Sequence, residues 1–196
     1  MINKDVYGDL KNQYGLTSSW TVWSKPANEN WKSKELISDM TPFSNEECLL
    51  KDLNGDYIFV GLNPAAHDAE TNDMAWRNFH SKDVKRSQDY KLRYALKDTP
   101  YWGSFITDLC TDIVETDSRR VLDETGEEQY KVAVNRIVEI REVLGGKATV
   151  VAVGWASYKK LKKYLPVEIE LKRITHFSAR VNLDKYCDSV RQQLEP

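Results

Sequence analysis

Long apolar runs are missing from this chain. No stretch approaches the ~20 residues that cross a bilayer, so no membrane span is expected. Cysteine is scarce: Cys48, Cys110 and Cys187 are odd in number and far apart. That excludes a disulfide framework, a four-cysteine zinc site and a four-cysteine iron–sulfur cluster built from this chain alone. No glycine-rich loop has the spacing of a nucleotide fingerprint, and Gly145-Gly146 reads as a helix stop. His67 and His80, with Asp68 or Asp73 beside them, match no zinc pattern, so neither a metal nor any other cofactor is expected. Strong net charge is lacking too. The 28 Lys and Arg nearly balance 30 Asp and Glu, which rules out holding nucleic acid by bulk positive charge. The start, Met1-Ile-Asn-Lys-Asp5, leads into polar residues rather than the apolar stretch of a signal peptide, and the expectation is a soluble, cytoplasmic protein.

What is present suits one folded domain. The 196 residues are 41% hydrophobic and 30% charged, enough to bury a sizeable core. Charge is unevenly spread: residues 151–196 carry nine Lys and Arg against five Asp and Glu, whereas residues 1–58 carry six against nine. The basic end holds Lys159, Lys160, Lys162 and Lys163, which read either as a phosphate-facing surface or as the solvated face of a helix.

Residues 1–56 show little periodicity and are interrupted by Pro26 and Pro42. Short helices are expected near Trp31–Met40 and Ser44–Lys51, the second opened by Ser44 and Glu47 in capping-box spacing. The segment reads as an N-terminal helical extension packed on a core of residues 57–196. There the pattern changes. Tyr57–Leu62 is a short continuous apolar run bounded by turn residues, the mark of a strand buried on both faces. Similar runs lie at Tyr101–Leu109 and Ala148–Val153, with a weaker one at Glu168–Ile174. Helical patterns at Glu127–Leu144 and Ser157–Leu165 separate them. Buried strands alternating with helices predict an α/β fold, a three-layer α/β/α domain around a mostly parallel sheet.

In such sheets ligands bind beyond the carboxyl ends of the strands. The four runs end in Asn63-Pro64, Thr107-Asp108, Gly154-Trp155 and Thr175-His176-Phe177-Ser178, polar and aromatic groups that can converge on one pocket. Asn63 before proline also fits a plain strand exit with an Asx turn. Trp155 reads as structural, and Cys110 as a buried strand residue.

These segments together resemble the uracil-DNA glycosylase superfamily. Gly61-Leu-Asn-Pro64 is similar to its first motif in the form of the mismatch-specific uracil/thymine branch. Val150–Tyr158 resembles the strand–Trp-Gly–helix segment before the second motif, with Gly and Trp transposed. His176-Phe-Ser-Ala179 resembles the second motif, His-Pro-Ser, with phenylalanine for proline. Phe105-Ile-Thr-Asp108 resembles a family strand that ends in Thr-Asn. The likeness spans residues 57–180 in order, and residues 1–56 find no counterpart.

The resemblance implies a domain that flips a damaged or mismatched base out of DNA and hydrolyses its N-glycosidic bond, without a cofactor. Asn63 would hold the attacking water, and His176 would donate to the oxyanion developing on the base. Asp108 would meet the base edge in place of asparagine, a departure that would repel an anionic leaving base unless the carboxyl is protonated, or would instead favour a base presenting amino donors. Ala65 stands where strict uracil enzymes have a methyl-blocking tyrosine, so the pocket is expected to be permissive. Ser178 belongs to the second motif and would lie at the base. Trp76 and Phe79 are stacking candidates, although their (i, i+3) spacing equally suits core aromatics. Lys159, Lys160 and Lys163 would contact DNA phosphates. Two alternatives stand beside excision: a non-catalytic binder of nucleic acid or nucleotide, and a shared fold whose pocket takes a metabolite, so the partner is DNA or a nucleobase-like small molecule.

Overall fold

The computed structural model describes residues 2–64, 74–115 and 117–195. Its centre is one sheet of β1 (Ser18–Trp20), β2 (Tyr57–Gly61), β3 (Phe105–Asp108), β4 (Thr149–Val153) and β5 (Leu171–Ile174). The spatial order is β1-β3-β2-β4-β5. Strands β3, β2, β4 and β5 are parallel to one another, and β1 pairs antiparallel with β3 at one edge. The helices are α1 (Lys4–Tyr14), α2 (Glu46–Asp52), α3 (Asp89–Leu96), α4 (Ser118–Glu124), α5 (Glu127–Val143), α6 (Trp155–Tyr164) and α7 (Leu183–Leu194).

Successive strand residues face opposite ways, and the runs are continuous because both faces are covered. Ile58, Val60, Phe105, Val150 and Ala152 pack under Leu10, Leu49, Ile137 and Leu161, from α1, α2, α5 and α6. Phe59, Ile106, Val151, Val153 and Ile174 pack against Leu92, Leu96, Tyr186 and Val190, from α3 and α7. The fold is therefore the expected three-layer α/β/α arrangement with a mostly parallel sheet.

Its first third differs from the expectation. Residues 31–40 form turns rather than an α-helix, and the buried Arg93 of α3 donates to the carbonyls of Ser33 and Glu35 there. Asn45, not Ser44, caps α2, accepting from the Cys48 amide at 3.1 Å, while Ser44 donates to the Thr41 carbonyl. Residues 18–20 form an edge strand: Ser18 Oγ donates to Thr107 Oγ1 at 2.8 Å, and Ser19 Oγ to the Trp76 carbonyl. Within the second apolar run only Phe105–Asp108 is strand. Gly103 turns the chain at φ +79°, where a Cβ would run into the Asp52 carbonyl.

Candidate functional site

The connection leaving β2 passes through α3 on one face of the sheet, and that leaving β4 passes directly into α6 on the other. Where neighbouring strands send their chains to opposite faces, a crevice opens at the carboxyl edge. A cavity of about 610 Å³ lies there, lined from β2 by Asn63, from β3 by Asp108, from β4 by Gly154 and Trp155, and from β5 by His176 and Ser178.

Two glycines let these groups approach. Gly61 pairs in register with Asp108, and a Cβ on it would run into the Asp108 carboxylate. Gly154 has φ +95°, and a Cβ there would lie 3.2 Å from the Cβ of His176. Asp108 is buried. Asn78 donates to its Oδ2 at 3.0 Å, and Asn78 is itself held by the Thr17 carbonyl and the Phe79 amide. The guanidinium of Arg136 donates to the Asp108 and Leu109 carbonyls behind the strand end.

The Asn63 amide is fixed by its neighbours. Its Nδ2 donates to the Pro64 carbonyl at 2.9 Å and the Glu115 carbonyl at 2.6 Å, which leaves Oδ1 as an acceptor. His176 is equally constrained. The Ser178 backbone N–H donates to its Nδ1 at 3.1 Å, so the neutral ring carries its proton on Nε2. Burial pushes the imidazole down to about 4, and the ring is a neutral N–H donor at neutral pH. Ser178 Oγ lies 2.8 Å from the same Nδ1.

Phe79 lines the cavity and meets Phe177 edge to face, with centroids 6.5 Å apart. Phe177 in turn stacks on His176 at 4.4 Å. The phenylalanine standing where the resembled motif has proline is thus an aromatic wall. Trp76 is not at the site. It is 1% exposed among Tyr7, Trp20 and Phe105 and donates through Nε1 to the Tyr7 hydroxyl. The helical spacing that equated it with Phe79 fails because the segment is no helix: Trp76 has φ +68° and Phe79 φ +65°. Ala65, His67, Asp68 and Asp73 lie outside the described residues.

Of the four lysines of α6, only Lys159 reaches the cavity. Lys160 lies 4.0 Å from the Tyr130 ring centroid, Lys162 over Tyr158, and Lys163 is ion-paired with Glu127 of α5. The cluster therefore does not form one surface at the site. Trp155, read as structural, is instead 54% exposed at the rim, where Arg86 also lies. His80 is a core residue, fully buried with Nε2 2.9 Å from Ser19 Oγ, and burial lowers it to about 3. Cys110 is buried just past the end of β3. Among the described residues no group of three or more His, Cys, Asp or Glu is placed to hold a metal ion, and no helix is long and apolar enough to cross a membrane. Sequence reasoning missed Asn78; it set Phe177 and Trp155 among the strand-end groups that can converge but gave Phe177 no role and read Trp155 as structural. The motif departures at 155 and 177 were the available signal for the last two.

No family model matches the chain, and no significant match is found among curated proteins.

Proposed function

We propose that the chain is a uracil-DNA glycosylase-like hydrolase that receives a flipped base in this cavity and cleaves its N-glycosidic bond. The observation that carries the reading is the convergence of Asn63, Asp108 and His176, from three strand ends far apart in sequence, on one cavity walled by Phe79 and Phe177. The base stacks against the aromatic wall. A water held on Asn63 Oδ1 adds its oxygen to the anomeric carbon. The electron pair of the broken C–N bond leaves on the base, and the proton balance is closed through solvent. An amide cannot remove a proton, so the bond breaks largely before water adds, and His176 Nε2–H stabilises the charge arriving on the base. The carboxyl oxygens of Asp108 accept hydrogen bonds, as they do from Asn78, and so favour a base that offers N–H donors.

That buried carboxylate also supports a second reading. It opposes an anionic leaving group, which suits a protein that binds a nucleobase without cleaving it. Single-turnover assays on duplexes carrying uracil, mismatched thymine or deaminated purines separate the two. Under the first reading at least one base is released, and His176→Ala slows release by about 100–1,000-fold with duplex affinity little changed. Asn63→Ala acts likewise, and Asn63→Asp raises the rate by supplying a base. Release at the wild-type rate by His176→Ala would refute the assignment. No release from any duplex, with base binding that depends on Asp108, establishes the second reading.

A further inference from the structure

A large aromatic side chain left in solvent beside a cavity calls for a partner. Trp155 opens α6 directly after Gly154 and stands half-exposed at the cavity mouth. Two cations flank its ring: the Arg173 guanidinium lies 4.5 Å from the indole centroid and Lys159 Nζ 5.6 Å away. Arg173 also reaches the Tyr158 ring, which lies nearly parallel to the indole at 5.5 Å. Among the described residues neither Lys159 nor Arg173 makes an ion pair, whereas Lys163 on the same helix does. These two charges are placed by aromatic rings, which leaves their N–H groups to an outside anion. A guanidinium lying on a ring keeps its donors in its own plane, where a phosphate can take them.

We propose that Trp155, Arg173 and Lys159 form a platform for a nucleic-acid strand at the cavity mouth. The base beside the one in the cavity stacks on the indole, and Arg173 and Lys159 hold the phosphates on either side of it. The inference rests on the reading that a base enters the cavity, and it adds which surface holds the rest of the strand. Two cations beside one exposed ring supply the two kinds of contact, charge and π-face, that a strand takes.

Fluorescence anisotropy with the full chain tests it. The probes are a labelled ten-nucleotide deoxyoligonucleotide and an abasic oligonucleotide of the same length. The wild type should prefer the base-bearing strand by on the order of 10-fold, the size expected of one stacked base. Trp155→Ala should lose most of this preference, keeping only what the base in the cavity supplies, while Trp155→Phe, which keeps a ring, should retain it. Arg173→Ala and Lys159→Ala should each flatten the dependence of log affinity on log salt by about 0.7 while keeping a base preference. A Trp155→Ala variant with the full preference, a wild type with none, or unchanged salt slopes would overturn the platform. Excision is scored separately. Discrimination through Trp155 without release of any base keeps the platform and removes the hydrolase, and release with unaltered Trp155→Ala binding does the reverse.

Discussion

At the scale of single residues, the site depends on what two positions lack. Gly61 and Gly154 give up side chains so that Asp108 and His176 can lie against the ends of β2 and β4. Gly154 is the more informative, because its φ of +95° has a counterpart in Gly145 at +98°, where a Cβ would meet nothing within 4 Å. Alanine at either position incurs the left-handed backbone penalty, about 1–2 kcal/mol. Only at Gly154 does it also press on His176. Gly154→Ala should therefore lose base binding or excision and more stability than Gly145→Ala, measured by urea unfolding beside the activity assay. Equal losses with the site intact would show that Gly154 serves the turn alone.

At the scale of elements, the loop carrying His176 is tied to the helix packed beneath it. Lys91 of α3 is buried, and its ammonium donates to the carbonyls of Ala179 at 3.0 Å and Val181 at 3.3 Å. Replacing it with methionine keeps the aliphatic stem and strands two carbonyls, at a cost of about 1–3 kcal/mol. Lys91→Met should raise amide exchange across residues 176–181 by on the order of 10-fold while exchange in β2 and β4 changes far less. Uniform exchange across the sheet would mean that the lysine supports the whole fold instead.

The elements legible in sequence share one property: burial on both faces leaves a continuous apolar signature. That is why β2, β4 and α5 stand within one or two residues of where the pattern puts them. Their order also placed Asn63, Asp108 and His176 at one edge. β1 was illegible because it is only three residues, Ser-Ser-Trp, paired antiparallel with β3 and buried with their hydroxyls bonded to Thr107 and the Trp76 carbonyl, and so short a polar edge gives no alternation to read. α7 was legible but unread, with Tyr186, Val190 and Leu194 recurring every four residues on a capped helix. Trp76 and Phe79 could not be separated by spacing, since positive φ at both sends one ring into the core and the other to the cavity. Backbone turns of that kind, in residues with side chains, leave no trace in composition.

At the scale of the whole molecule, two histidines tie stability to pH. Burial holds His80 at about 3 and His176 at about 4, against 6.5 for the exposed ring, so the folded chain keeps both neutral. In the unfolded chain both take up protons as the pH drops through 6.5. Between about 6.5 and 4 the unfolded state therefore binds more protons, and stability falls with falling pH. Where both unfolded rings are charged and both folded rings neutral, near pH 5, the slope approaches about 2.7 kcal/mol per pH unit. Below about 4 the His176 contribution levels off, and that of His80 continues to about 3. Replacing His80 with glutamine, which retains an amide to face Ser19 Oγ, should halve the slope between pH 6 and 5 in urea titrations. An unchanged slope would mean that His80 is not the neutral core group its burial makes it. The same arithmetic bears on the site. A His176 that stays neutral to about pH 4 donates from an uncharged Nε2–H, so base binding should show no titration near 6.5 and should fail in acid only as the fold itself does.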